Sequence, residues 1–459
     1  MFDLIVIGAG AAGLSAAIEA NRGGASALVL EAADAVGGST ALSGGVVLAA
    51  GTRLQRDRGV EDHPDAFYDR YMAMNRWSIE PRLARALCSD AAEAVEWLSG
   101  LGVEFHLLPV NSAEFTPRGH MAVGTGAKII RVLELEATRL GVEIRRGCRV
   151  GSLDREAGGY RVEIASSEEV YTSRAVVIAT GGFGSSREKL AKHYPSAAVH
   201  GDLTWSVAAQ TCVGDGLELG GACGAGLTGH DQGLALITPG FEQNFDVVPP
   251  AWLVFVNREG QRYVDEMMPY SMLTETTHQQ SGGSGFAVLD ETTRAQAAPT
   301  DPTHQGVVSL DWNRDSIAAQ SEKGRVFRAG SLRGLARQAG IDAESLEETL
   351  SRYNADCDAG ADSCFHKDPA WMRPIVEPPF YAAEIRPCLV ALTCCGLRID
   401  ADARVLSRKG EAIPGLFAAG ETTGGVLRQY GGSGNSIANA LVFGRRSGRA
   451  ASALARGRA

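Results

Sequence analysis

The sequence predicts an α/β chain, a Rossmann-like nucleotide-binding domain interrupted by an α+β insertion. Three observations carry this. Phe2-Asp-Leu-Ile-Val-Ile7 is a buried-strand run that passes straight into Gly8-Ala-Gly10-Ala-Ala12-Gly13 and then an alanine-rich helical pattern reaching about Arg22. Arg174-Ala-Val-Val-Ile-Ala179 is a second apolar strand, ending in Thr180-Gly181-Gly182, and Leu416-Phe-Ala-Ala419 is a third, ending in Gly420-Glu421. Between these last two, from about Leu234 to Pro379, glycine-rich polar loops alternate with short strands and helices, which marks a separate body. The expected division is residues 1–234 and 386–459 for the nucleotide-binding domain and 235–385 for an inserted cap.

At the N-terminus the next apolar run, residues 27–30, ends in Glu31, so strand, G-x-G-x-x-G, helix, strand and acid lie in one unit. In that context the glycines close a tight turn and admit a pyrophosphate against the helix start, where Ala12 lies. Glu31, with Ala32 after it, then accepts from ribose hydroxyls. The following loop, Gly37-Gly38-Ser39-Thr40-Ala41-Leu42-Ser43-Gly44-Gly45, sets small and hydroxylated residues where an extended FAD needs donors along its pyrophosphate and flavin edge. Residues 61–100 and 126–140 read as amphipathic helices. Strands are expected around 142–150, whose last residue Val150 is a candidate cofactor contact, and around 160–164. Thr180-Gly181-Gly182 is the second place where backbone passes close to the cofactor. Gly214-Asp215-Gly216 opens a helix that aims N–H groups at the flavin or ribityl chain. Phe115-Thr-Pro-Arg118-Gly-His120 reads as a loop in reach of an active site, with a histidine more simply explained by packing.

Inside the insertion, Val254-Phe-Val-Asn257-Arg-Glu-Gly-Gln-Arg262-Tyr-Val-Asp265-Glu266 reads as a hairpin of two short strands about an N-R-E-G turn. It leads into Met267-Met268-Pro269-Tyr270, and helices are expected over 331–338 and 342–354. Near the C-terminus, residues 415–437 gather glycines around Tyr430, then run through Gly434 into Asn435-Ser436-Ile437. Where no Cβ intervenes, backbone N–H groups approach a ligand closely. This is where a flavin ring and a substrate carbonyl are expected to meet. Residues 445–458, rich in arginine, read as a solvated terminal helix, and Cys394-Cys395 as two buried thiols in an apolar strand.

Composition narrows the function classes. With 459 residues, 45% hydrophobic and 21% charged, the chain is long enough for two domains and a large core. A formal charge of −10 provides no basic stripe for nucleic acid or an anionic membrane. The nine cysteines include no C-x-x-C, which leaves structural zinc, an iron–sulfur run and covalent haem unsupported and points to a reducing compartment. No metal is expected. No apolar segment long enough to span a bilayer occurs, and the first apolar run is only a strand long, so a cytoplasmic location is expected.

Together the N-terminal glycine motif with Glu31, the G-G-S-T-A-L-S-G-G loop, Ala179-Thr-Gly-Gly182, the segment Arg262-Tyr-Val-Asp-Glu266 and Ile413-Pro-Gly-Leu-Phe-Ala-Ala-Gly-Glu421 resemble one flavoprotein family. It contains soluble fumarate reductases and 3-ketosteroid dehydrogenases. The likeness spans essentially the whole length. It implies an FAD domain of the GR2 type with an inserted cap, and hydride transfer between flavin N5 and a carbon of an activated C–C bond. Members with covalent flavin carry a histidine where this chain has Ser39, so the resemblance implies non-covalent FAD.

The branch is read from the substrate residues. Fumarate reductases place a proton-donating arginine four residues after the hairpin glutamate, where this chain has Tyr270. They carry a histidine before a T-x-G-G-like stretch, and Ala391-Leu-Thr-Cys-Cys-Gly396 has none. Arg428 is the nearest counterpart of their carboxylate-binding arginine. A dicarboxylate site needs several fixed cations. The 3-ketosteroid dehydrogenases are more similar here: a tyrosine after a proline removes a proton, and a second tyrosine, with the N–H of the glycine four positions on, holds the ketone oxygen. Tyr270 matches the first, Tyr430 and Gly434 the second. Their turn reads Y-P-G-P-G and their strand ends A-A-G-N, where this chain has Tyr430-Gly-Gly-Ser-Gly434 and Ala418-Ala-Gly-Glu421, so the likeness reaches the ketone chemistry more firmly than the steroid.

The expected activity is therefore α,β-desaturation of a cyclic ketone such as a 3-ketosteroid or a substituted cyclohexanone. A free tyrosine titrates near about 10, so Tyr270 acts as a base only with a lowered pKa or a relay to solvent. The rivals are the same chemistry reversed, an enone or enoate reductase, and a flavin-binding sensor without turnover, which the matching tyrosines argue against. An amine oxidase or hydroxylase is disfavoured by the cap hairpin and the A-A-G-E turn. With no second G-x-G-x-x-G for a nicotinamide, the expected electron acceptor is a quinone, a carrier protein or oxygen.

Overall fold

A computed structural model describes residues 1–109, 116–244, 249–298, 310–429 and 433–457. They form two compact units. The first comprises Met1–Pro195, Ser206–Leu234 and Ala391–Ala459; the second, Ser196–Trp205 and Ala235–Val390.

The first unit is built on strand Phe2–Ile7, which pairs in parallel with Ala27–Leu30 on one side and Val170–Ile178 on the other. The sheet continues outward to Glu143–Arg145 at one edge and through Ala412–Ala418 to Arg404–Leu406 at the other. Leu4, Ile5 and Val6 are wholly buried. A parallel strand covered on both faces needs such an unbroken apolar run, which is why this segment does not alternate. An antiparallel meander, Val150–Glu156 and Gly159–Ile164, leads into Val170–Ile178.

Two helices lie against each other in this unit, Ala11–Arg22 and the terminal Asn435–Ala455. Their spacing is set by glycine. A Cβ on Gly444 would stand 2.4 Å from the Ala12 carbonyl oxygen, and one on Gly448 2.1 Å from that of Ala16, so only small residues permit the approach. The terminal helix is accordingly not the solvated element its arginines imply. Arg445 is 7% exposed and pairs with Glu19 at 3.2 Å and Glu93 at 2.8 Å; Arg449 pairs with the same two acids, and Arg446 with Asp90. Acids from two other helices neutralise the run. Helices Pro64–Met74 and Pro81–Gly100 each open on a proline, which has no N–H to lose at a first helical position.

The second unit centres on antiparallel strands Val254–Val256, Gly285–Leu289 and the part of strand Phe380–Thr393 up to Val390, with Phe327–Ala329 also joined to the long strand. Helices Leu332–Ala339 and Ala343–Ala359 add Leu335, Leu346, Leu350 and Tyr353 to a core with Val254, Val256, Phe286 and Val288. The expected hairpin is half present. After the turn at Asn257 to Gly260 the chain returns only through a single bridge, Val256 with Arg262. The reason is electrostatic. Arg262 donates to both oxygens of Glu266 at 2.8 and 2.7 Å and to Asp362 at 2.8 Å, while Lys367 Nζ donates to Glu266 at 3.1 Å and to the Leu253 carbonyl at 2.8 Å. Two cations and two carboxylates, side chains at most 6% exposed, neutralise one another there. Closing that cluster turns the second arm out of strand geometry.

Among the described residues no helix is long and apolar enough to cross a membrane.

Candidate functional site

Gly8 sits at φ 105°, and a Cβ there would lie 2.4 Å from the Ala179 carbonyl oxygen; one on Gly13 would lie 1.9 Å from that of Gly8. These two positions need glycine for the turn and for helix-on-strand packing. Gly10 is different, with its nearest neighbour, the Gly37 oxygen, at 3.8 Å, and it leaves open the approach to the helix start. No side chain caps Ala11–Arg22, so its first amides are offered to an anion.

Glu31, 6% exposed, accepts from the Ala9 N–H at 2.7 Å through Oε2 and from the Ala33 N–H at 2.8 Å through Oε1. It thus fixes the glycine turn and the backbone on either side of half-buried Ala32, and each oxygen keeps a lone pair for a hydroxyl. In the next loop, Ser43 Oγ donates to the Thr40 carbonyl at 2.7 Å and accepts from the Gly45 N–H at 3.2 Å. Ser39 Oγ accepts from the Ala209 N–H at 3.0 Å and lies 3.4 Å from Cys212 Sγ. Ser43 thus shapes the loop, and Ser39 ties it to the segment from Ala209 to Cys212. Gly38 and Gly44 face open space, and Thr40 is half-buried.

At the end of Val170–Ile178, Thr180 Oγ1 donates to Thr422 at 3.4 Å, and Cβ atoms on Gly181 and Gly182 would strike Cys212 Sγ at 2.8 Å and Glu421 at 2.2 Å. Glu421 is half-buried and accepts from the Thr393 N–H at 2.9 Å and its hydroxyl at 2.8 Å; desolvation of the carboxyl holds it above the usual range. Gly420 is buried, and its carbonyl accepts from Thr423 at 2.7 Å. Helix Asp215–Ala222 starts against this strand end, since a Cβ on Gly216 would stand 2.4 Å from Thr180 Oγ1. Asp215, raised by burial, pairs with Arg149 at 2.7 Å beside buried Val150.

The terminal helix starts from Gly434, at φ 105°, whose carbonyl accepts from the Leu48 N–H at 3.2 Å. Both amide atoms of wholly buried Asn435 have no hydrogen-bond partner among the described residues, nor do Ser436 Oγ and Asn439 Oδ1. Ile437, next in line, is buried. Buried polar groups left unpaired cost about 1–3 kcal/mol each, so a cluster of them at a helix start calls for a polar ligand edge. Together with the open Gly10 approach, this set of donors and acceptors fits FAD.

Tyr430 lies outside the described residues. The chain leading to it is fixed by side chains that the sequence reading missed. Asn75 Oδ1 accepts from the N–H groups of Arg428 at 2.9 Å and Gln429 at 3.4 Å, Tyr71 O–H donates to the Val426 carbonyl at 2.9 Å, and Gln429 donates to the Met74 carbonyl at 2.7 Å. An asparagine closing a helix was the one local signal. In the second unit Tyr270 is half-buried and is the first residue of helix Tyr270–His278, directly after Pro269.

His120 belongs to strand Gly119–Ala122, not to a loop. It is wholly buried, with Nε2 2.8 Å from Thr52 Oγ1 and Nδ1 2.9 Å from the Arg118 carbonyl, so both ring nitrogens are engaged in packing. Cys394 and Cys395 are buried free thiols, that of Cys395 pushed up to about 11 by burial.

The family described as the FAD binding domain matches residues 3–437. The chain is 30% identical over 457 residues to the fumarate reductase (cytochrome) of Shewanella frigidimarina, covering 97% of this chain and 76% of that one. It is similar to the solved 3-ketosteroid-Δ4-(5α)-dehydrogenase from Rhodococcus jostii RHA1 in complex with 4-androstene-3,17-dione, at TM-score 0.81 and 28% identity over 98% of this chain and 96% of that one. It is also similar to the open conformation of a flavocytochrome c3 fumarate reductase, at TM-score 0.71 and 27% identity over 99% and 78%.

Proposed function

The chain belongs to the FAD binding domain family of flavoproteins, an FAD-dependent oxidoreductase acting on C–C bonds, and from that premise we propose that it desaturates a cyclic ketone at Cα–Cβ. A 3-ketosteroid or a substituted cyclohexanone is the substrate class. Tyr270 is the base that takes the Cα proton. The Tyr430 hydroxyl and the Gly434 N–H hold the ketone oxygen as negative charge grows on it, an arrangement worth several kcal/mol in a dry site. FAD, when bound, supplies the acceptor at N5 for the Cβ hydride. Gly8, Gly10, Ala12, Gly13, Glu31 and the unpaired Asn435 and Ser436 are the residues that hold the cofactor, with Gly38 to Gly45 and Thr180 to Gly182 along its length. Reducing equivalents pass on to a quinone, a carrier protein or oxygen.

One observation carries this reading over a dicarboxylate reductase. In the second unit Arg262 and Lys367 are neutralised by Glu266 and Asp362, and the helix that follows begins with a tyrosine where an arginine would serve a dicarboxylate. The 30% identity to a fumarate reductase supports the reverse direction, an enone or enoate reductase, as the second reading. Anaerobic titration of the FAD-loaded protein with a 3-ketosteroid, and separately with a cyclohexanone, distinguishes them. Bleaching of the flavin band by either supports desaturation. Without bleaching, reoxidation of the dithionite-reduced protein by an enone or by fumarate supports the reductase.

A further inference from the structure

We propose that the first unit carries a second ligand site, a pocket for a small dianion at the C-terminal end of helix Asp215–Ala222. The cavity has a volume of about 370 Å³ and is lined by Gly221, Ala225, Gly226, Leu227, Arg398 and Arg408. Its frame is rigid backbone. The Gly226 N–H donates to the Leu406 carbonyl at 2.8 Å, the Arg398 N–H donates to the Gly226 carbonyl at 2.8 Å, and Ala225 bridges to Ser407.

Glycine keeps the space open. A Cβ on Gly226 would stand 3.1 Å from the Ser407 carbonyl oxygen, 3.2 Å from Arg398 Cδ and 3.4 Å from Arg408 Cα, so the side chain of one arginine and the backbone of the other pass beside this residue, whereas a Cβ on Gly221 would meet nothing within 4 Å. The decisive feature is charge. Neither guanidinium has an ion pair or a side-chain hydrogen bond among the described residues. Their neighbours do: Arg404 pairs with Asp400 and Asp402, and Arg149 with Asp215 at the other end of the helix. In a chain of formal charge −10, two arginines without an ion pair lining one cavity make it a receptor for an anion. Each guanidinium offers a planar fork of donors matched to a carboxylate or phosphoryl edge, so two take a ligand carrying two negative charges. The volume lies at the small end of the range for metabolite pockets, and half-exposed Leu227 supplies an apolar wall.

The ligand is a small dianion, a phosphoryl compound or a dicarboxylate. The test is calorimetric titration of the FAD-loaded full chain with inorganic phosphate, and in a second arm with succinate, at low ionic strength. Saturable binding is expected in at least one arm, weakened about tenfold or more in Arg398→Gln and in Arg408→Gln, with FAD content unchanged. Phosphate binding alone identifies a phosphoryl ligand, and succinate binding alone a dicarboxylate. Should an arginine variant lose FAD, Gly221→Leu fills the cavity from a helical position without removing a charge, and it too is expected to abolish binding. Absence of saturable binding in both arms, or binding that all three variants leave unchanged, overturns the proposal.

Discussion

Tyr270 starts a helix immediately after a proline, and its hydroxyl is the group on which desaturation turns in the proposed reaction. Tyr270→Phe is expected to slow substrate-driven flavin bleaching by roughly 10²- to 10⁴-fold while leaving FAD content unchanged, as stopped-flow absorbance would record. Equal loss of FAD would mean that the residue serves packing. Ser39 makes a separate prediction. Its hydroxyl accepts from Ala209 and offers no nucleophile comparable to a histidine, so acid precipitation should leave all the yellow colour in the supernatant. Colour retained in the pellet would mean a covalent bond formed elsewhere. Gly13→Ala would put a methyl group 1.9 Å from the Gly8 oxygen, forcing the opening helix off its strand. The purified variant is expected to be colourless or nearly so.

Among the elements, the helix Pro64–Met74 acts through its end. Asn75 gathers the backbone of Arg428 and Gln429, residues about 350 positions away, into a fixed approach to the glycine-rich turn. Asn75→Ala leaves those N–H groups without an acceptor, at a cost of about 1–3 kcal/mol. Because the turn that follows carries Tyr430, the variant is expected to raise the ketone KM more than it lowers the melting temperature, which steady-state kinetics and calorimetry on one preparation would separate. The pair of helices Ala11–Arg22 and Asn435–Ala455 has no such tolerance. Gly448→Val would drive a branched side chain into the Ala16 carbonyl, and overpacking of that kind costs about 3 kcal/mol, read as a lower urea midpoint.

At the scale of the whole molecule, the buried ions of the second unit set its response to acid. Burial works against the ionised carboxyl of Glu266, but Lys367 and Arg262 outweigh it and hold the group below the usual range; Asp362 is held down likewise by Arg262 against its own burial. A carboxyl whose pKa is lower folded than unfolded adds stability above its unfolded value, about 4.3 for Glu and 3.9 for Asp, and that stability is lost as pH falls through the folded value. The urea midpoint of the second unit is therefore expected to be steady above about pH 5 and to fall steeply below about pH 4. Asp362→Asn should flatten that slope. Lys367→Met leaves Glu266 with one cation fewer and should cost about 3–5 kcal/mol at neutral pH.

The sequence by itself determined the nucleotide-binding half in detail. The strand–glycine–helix order, Glu31 and the glycines at 8, 10 and 13 act within a span of about thirty residues, where local sterics alone dictate which residue type fits. The reaction class came from the resemblance of several such short motifs, spread from Gly8 to Glu421, to one flavoprotein family. Tertiary structure decided what depends on partners far along the chain. Arg262 looked like half of a hairpin until Asp362, one hundred residues on, closed an ion cluster around it. The arginines of the terminal helix looked solvated until Glu19 and Glu93 were brought beside them, and the packing role expected of His120 acquired its partners, Thr52 and the Arg118 carbonyl, only in the fold. Charge and burial are properties of neighbours in space, and a linear pattern names those neighbours only when they are also neighbours in sequence.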